Sequence, residues 1–156
     1  MTTLQIDMST PAGIAIALLP ELILTAAILV VTLQVALRHE GTSASRNAGW
    51  VSLVSLMLSG AAAFWLSGVV PDDPGLGQMV AIDQFRFVAS GLILLVSAGA
   101  ILCSLGYLER EQLLAPEYYL LLLLAVLGML FMVNAQDLIV VFLGLETMSV
   151  AVYVLA

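Results

Sequence analysis

The chain contains no lysine, a single cysteine and few charged side chains of any kind. Its four basic residues are arginines, and charged residues make up 10% of its 156 residues. With a net charge of −7, it lacks the clustered Lys and Arg that replace phosphate counterions, so we expect no nucleic-acid binding. Because Cys103 is alone, an internal disulfide and a cysteine-ligated metal site are excluded.

The sequence also lacks the short patterns that mark chemistry on a bound organic substrate. It has no Gly-rich phosphate loop, HExxH, CxxC or nucleophile elbow, each of which places specific groups around a substrate or a metal. We therefore expect this chain to bind no cofactor and no metal.

What the chain has in abundance is apolar sequence, since 62% of its residues are hydrophobic. A helix needs about 20 apolar residues to cross a bilayer, and backbone groups in lipid must be hydrogen-bonded internally. The alternating strands of a barrel are absent. We expect a single all-α domain, a polytopic transmembrane helical bundle covering residues 1–156. Its five predicted spans are residues 12–37, 48–70, 87–107, 118–133 and 138–156.

The arginines predict an orientation in the membrane, because cytoplasmic loops carry an excess of Lys and Arg. Arg38 and Arg46 lie between the first two segments, and Arg110 lies between the third and fourth. The linker between the second and third segments carries only Arg86 against three carboxylates, which are Asp72, Asp73 and Asp83. We expect the N-terminus outside and the end of the fifth segment in the cytoplasm.

Turn residues and small residues predict local features of the bundle. Prolines and glycines make residues 72–78 an expected irregular turn. The tight link at residues 134–137 makes an antiparallel hairpin of the last two segments, with Asp137 as the helix N-cap. Residues 60–63, together with Gly91 and Gly99, are expected to let helices approach closely.

Glu146 is the candidate functional residue, because it lies near the middle of an apolar span. A charge there costs about 2.5–3.5 kcal/mol or more, and such residues usually mark proton or ion paths. Desolvation favours the neutral carboxyl and a neighbouring cation favours the carboxylate, so a group between the two can exchange protons. Ser149 and Tyr153 lie on the same helical side as possible support. The alternative is a protonated Glu146 that only packs helices together.

Glu21 is a second candidate, directly after Pro20. If Pro20 begins the regular helix, Glu21 lies near the outer interface, where the helix's positive end favours it. Otherwise Glu21 lies deep enough to contact another subunit or a polar pocket. We expect the interfacial, structural position.

Three stretches of the chain carry a resemblance to a known family. Residues 18–24 read LLPELIL, residues 82–108 read IDQFRFVASGLILLVSAGAILCSLGYL, and residues 117–156 read EYYLLLLLAVLGMLFMVNAQDLIVVFLGLETMSVAVYVLA. The most specific part is the pattern FLGLE-x-x-S-x-x-x-Y, from Phe142 to Tyr153. Together they resemble the N-terminal region of the antiporter-like membrane subunits of respiratory complex I, subunit N above all.

The resemblance implies a membrane-arm, non-redox subunit of NADH:quinone oxidoreductase that takes part in proton translocation, with residues 117–156 starting the translocating region. Glu146 matches the family's essential glutamate, which pairs with a lysine on a later, broken helix. NADH, flavin, iron–sulfur clusters and quinone would belong to the assembly. The implied partners are its other membrane subunits and the lipid bilayer, and the implied location is a bacterial inner membrane.

The chain departs from this family in length and in its lack of lysine. Family members have many more helices, in two inverted repeats whose broken helices carry the lysines. We expect either a fragment of a longer subunit or a subunit split between chains, and an isolated chain without activity. Two other functions stay open: a subunit of a related cation/proton antiporter, and a non-catalytic membrane assembly or anchoring protein.

Overall fold

The computed structural model describes residues 11–37, 42–69, 73–76, 80–110 and 116–156. Within these ranges, five helices are long and apolar enough to cross a membrane, which confirms the predicted all-α, multi-span fold class. The elements in chain order are α1 (Pro11–Ala17), α2 (Leu19–Leu37), α3 (Thr42–Val69), β1 (Asp73–Leu76), β2 (Val80–Ile82), α4 (Gln84–Arg110), α5 (Pro116–Asn134) and α6 (Leu138–Leu155).

The first apolar segment is two helices rather than one. Helix α1 ends at Ala17, Leu18 forms a turn, and α2 begins at Leu19. Pro20 explains the break, because it has no N–H to donate and its ring clashes with the carbonyl four residues earlier, that of Ile16. In the first turn of α2 the missing N–H costs nothing, so Pro20 does begin the regular helix.

The linker between α3 and α4 differs from the expected irregular turn at residues 72–78. Strands β1 and β2 pair antiparallel, with Asp73 opposite Ile82 and Leu76 opposite Val80, and the register shifts between the two pairs. Two strands of three and four residues do not make a stable sheet by themselves. β2 also contacts the bundle at α5, so the ribbon lies against the end of the helices.

Helix α5 is the central helix of the bundle. It contacts α2, α3, α4 and α6, and its buried side chains include Leu123 and Leu130. The apolar core joins these to Leu24 of α2, Leu56 of α3 and Ile101 of α4. Helix α6, by contrast, is buried only at Gly144 and Ala151, so it packs mainly against α5 and leaves the rest of its surface uncovered by the described residues.

Helices α5 and α6 come into backbone contact at a pair of glycines. A Cβ added to Gly128 would lie 2.7 Å from Gly144 O and 2.7 Å from Met148 N, and one added to Gly144 would lie 2.8 Å from Gly128 O. The two backbones therefore touch where a side chain would not fit. The prediction of close helix contacts at Gly91 and Gly99 is not met among the described residues, because a Cβ at either position would lie more than 4 Å from all of them.

Candidate intramembrane polar sites

Helix α6 places Glu146 midway along an apolar span. Asp137 caps the helix as predicted, since its side chain accepts a hydrogen bond of 3.1 Å from Ile139 N. Glu146 follows the first helical residue, Leu138, by eight positions. At about 1.5 Å per residue it lies roughly 12 Å from the start of α6.

The side chain of Glu146 lies on the face of α6 that is turned away from α5. Gly144 and Ala151 line the contact with α5, and two residues of helix rotate Glu146 by about 200° from Gly144. Glu146 and Tyr153 are exposed, and Ser149 is half-buried. No hydrogen bond to Ser149 or Tyr153 is formed among the described residues. Glu146 and Tyr153 are therefore left uncovered by the helices that the structure describes.

Glu21 lies in a buried polar cluster, 3% exposed, at the start of α2. Arg86 Nη2 lies 3.0 Å from Glu21 Oε1 in a buried ion pair, and the same nitrogen donates to Ala17 O at 2.8 Å. Asn134 Nδ2, at the end of α5, donates to the same Glu21 oxygen. Arg86 and Asn134, which lie 65 and 113 positions after Glu21 in the sequence, thus both bind its carboxylate.

The break between α1 and α2 contributes backbone carbonyl groups to this site. The last carbonyls of a helix have no intrahelical donor, and here Arg86 supplies one to Ala17. Ser59 of α3 donates to Pro20 O at 3.0 Å. The side chain of Asp83 accepts a hydrogen bond of 2.8 Å from the backbone N of Arg86 and so caps the start of α4. This cap fixes the backbone of Arg86, whose guanidinium lies inside the bundle.

Of the two positions considered for Glu21, the structure supports the polar pocket. Glu21 is in the first turn of α2, as the interfacial position required, but it is enclosed by α1, α4 and α5 rather than exposed at the interface. Arg86, which the sequence places in the linker before the third apolar segment, is a buried residue of α4. Its signal in the sequence is Asp83, three residues earlier, which marks the start of a helix. Asn134 gives no signal beyond its place at the end of an apolar run.

Within the described ranges, no three His, Cys, Asp or Glu side chains come together as a metal site would require. Two of the residues on which the predicted orientation depends, Arg38 and Asp72, lie outside the described residues.

No family model matches the chain, but curated sequences do. It is 37% identical over 142 residues to NADH-quinone oxidoreductase subunit N of Paramagnetospirillum magneticum, covering 90% of this chain and 28% of that protein. It is 34% identical over 146 residues to subunit N 2 of Koribacter versatilis (90% and 30%), and 34% identical over 145 residues to subunit N of Erythrobacter litoralis (89% and 29%).

The chain thus spans about three-tenths of the length of the curated relatives that it matches. The resemblance to subunit N is confirmed by these similarities, which extend over nearly the whole chain. Together with the five apolar helices, they identify an integral, multi-pass membrane protein.

Proposed function

From its relationship to subunit N of NADH-quinone oxidoreductase, we propose that this chain is part of a membrane-arm subunit of that enzyme. The single observation that carries the proposal is similarity over nine-tenths of the chain to proteins of that name. The subunit takes part in proton translocation coupled to electron transfer from NADH to quinone. NADH, flavin, iron–sulfur clusters and quinone are bound by the rest of the assembly, and the other membrane subunits are the partners of this one.

Glu146 is the proton-carrying group in this proposal, and residues 117–156 start the translocating region. Its depth in α6 supports this, because an ionisable side chain midway along a span is costly and is kept mainly where charge moves. The membrane potential contributes about 2.3 kcal/mol per charge per 100 mV. A shift of one pKa unit corresponds to about 1.36 kcal/mol, so modest changes around a carboxyl can drive or block a proton step.

The cation that pairs with Glu146 comes from outside this chain, which has no lysine. The face carrying Glu146 is the uncovered side of α6, and this position leaves room for a lysine-bearing helix of the intact subunit or of a neighbouring subunit. When that lysine is charged it stabilises the carboxylate, and when it is neutral it releases this stabilisation, so the charge of the lysine controls the proton on Glu146.

The proposed location is a bacterial inner membrane with the N-terminus outside. The ion pair of Arg86 with Glu21 supports this orientation. Because Arg86 is buried in the bundle, the linker before α4 presents no exposed arginine, and the outer side has fewer cations than the cytoplasmic side.

Replacing Glu146 with Gln in the full-length subunit tests the proton role. Gln keeps the size and polarity of the side chain but cannot release a proton, so NADH-driven proton uptake by membrane vesicles should fall strongly while the complex still assembles. Glu117→Gln is the matched control, because Glu117 is exposed in the first turn of α5. If the two variants pump equally well, Glu146 has no role in proton transfer.

The names of the relatives favour this function over a cation/proton antiporter subunit. Co-purification of the full-length subunit with flavin and iron–sulfur absorbance would separate the two, because an antiporter assembly needs neither. A purely anchoring protein would show normal pumping with Glu146→Gln, so the same variant also tests that alternative.

A further inference from the structure

Two buried oxygen atoms in the Glu21 cluster have no hydrogen-bond donor among the described residues. They are Glu21 Oε2 and Asn134 Oδ1, on side chains that are 3% and 1% exposed. A buried acceptor without a donor is destabilising, and buried polar groups in native proteins are almost always hydrogen-bonded. Two such atoms at one place indicate that a donor binds there.

The two acceptors belong to side chains that already touch each other. Asn134 Nδ2 donates to Glu21 Oε1, and each unpartnered oxygen is bonded to the same carbon as one of these two atoms. The two oxygens come from different helices, α2 and α5. A single small molecule with two donor hydrogens would satisfy both.

We propose that Glu21 and Asn134 hold one buried water molecule, which donates one hydrogen to Glu21 Oε2 and the other to Asn134 Oδ1. Buried waters typically make about three hydrogen bonds to groups that would otherwise be unsatisfied, and this pair supplies two acceptors. The site is separate from Glu146, and the inference does not rest on the proposed function.

A proton on Glu21 Oε2 would also supply a donor, but the ion pair argues against it. Arg86 Nη2 lies 3.0 Å from the same carboxylate in a buried ion pair. Protonation would leave the guanidinium, which is 2% exposed, without its counter-charge, a costly state for a buried cation. Water satisfies both acceptors and leaves the ion pair intact.

A metal cation fits the site less well than water does. Hard cations such as Ca²⁺ and Mg²⁺ take six or more oxygen ligands, whereas the cluster offers two unpartnered oxygens. The guanidinium of Arg86 already brings positive charge to the same carboxylate. The ligand is therefore a small, neutral donor.

A structure of the intact assembly, at a resolution that shows ordered water, tests the proposal directly. We expect one density peak within hydrogen-bond distance of both Glu21 Oε2 and Asn134 Oδ1. Direct contact between these two oxygens would overturn the proposal, because it requires a shared proton. A protein donor from outside the described residues at this place would overturn it as well.

Infrared spectra in ordinary water and in ¹⁸O-labelled water give an independent test. A buried water has an O–H stretching band that shifts with the oxygen isotope. Glu21→Gln should abolish that band, because the Gln amide can itself donate to Asn134 and replace the water. Ser52→Ala is the control, since Ser52 carries another buried, unpartnered oxygen on α3 and its loss should leave the band in place.

An isotope-shifted band that persists in Glu21→Gln would overturn the proposal. So would a protonated-carboxyl C=O band that disappears in the same variant, because Glu21 would then carry the proton itself. The structural test needs no variant, so it decides the question even if Glu21→Gln fails to assemble. Pumping by the Glu146→Gln variant does not enter either test, so the proposed function can fail separately.

Discussion

Replacing Gly128 with alanine tests the contact between α5 and α6. The new Cβ would lie 2.7 Å from Gly144 O and from Met148 N, about 0.7 Å short of the 3.4 Å at which ordinary contact begins. Both atoms belong to the backbone of α6, so no side chain can move aside and the two helices must separate. Overpacking of this kind costs about 1–3 kcal/mol.

Gly91→Ala is the matched control, because a Cβ at Gly91 would meet nothing within 4 Å. Alanine is favoured over glycine within a helix by about 0.5–1 kcal/mol, and this gain is common to both variants. The difference between them therefore isolates the packing cost, and Gly128→Ala should be less stable than Gly91→Ala by about 1–3 kcal/mol.

Unfolding of the chain in mixed micelles, by titration with SDS and measured by circular dichroism, gives the two free energies. Equal midpoints for the two variants would refute the close contact at Gly128. A second control, Gly99→Ala, should behave like Gly91→Ala, since that position is equally open.

Two further substitutions test other contacts by the same titration. Asp137→Ala should lower the free energy of unfolding by about 1 kcal/mol through loss of the N-cap, and Asp137→Asn should retain most of it; equal loss in both would exclude capping by the side-chain oxygen. Arg86→Met should cost about 3–5 kcal/mol, because it leaves Glu21 buried without its cation, and adding Glu21→Leu should recover most of that loss. A single variant as stable as the parent would show that the ion pair is not buried.

The helices could be predicted from the sequence because lipid leaves the backbone few alternatives. Apolar runs of about 20 residues must hydrogen-bond internally, and outside a closed barrel they do so as helices. Pro20 likewise indicates where the regular helix begins, since proline fits only the first turn. The ribbon of β1 and β2 could not be predicted in this way, because two short strands with two prolines nearby and a shifted register carry no periodic signal.

The close helix contacts could not be predicted from glycine alone. Residues 60–63, Gly91 and Gly99 follow the same small-residue pattern as Gly128 and Gly144. Within the described part of the chain, only the last two of these glycines meet a neighbouring backbone. A pattern of small residues shows which helix face is smooth. It does not show whether another helix faces it, and that depends on how all the helices are arranged.

The polar cluster shows the same limit for charged residues. Glu21 and Asn134 are 113 residues apart, and no spacing in the sequence relates them. Composition identifies the carboxylate that needs a partner, but Arg86 becomes that partner only through the α1–α2 break and the Asp83 cap. The fold class thus follows from the local sequence, whereas the cluster follows from tertiary structure.

The contact of two bare backbones at Gly128 and Gly144 has a mechanical consequence. Where large side chains separate two helices, rotamer changes let one helix turn about its axis against the other. At Gly128 and Gly144, turning either helix about its axis would bring a side chain into a contact where even a Cβ does not fit. The contact therefore opposes such a rotation and helps to set the direction of Glu146 relative to α5.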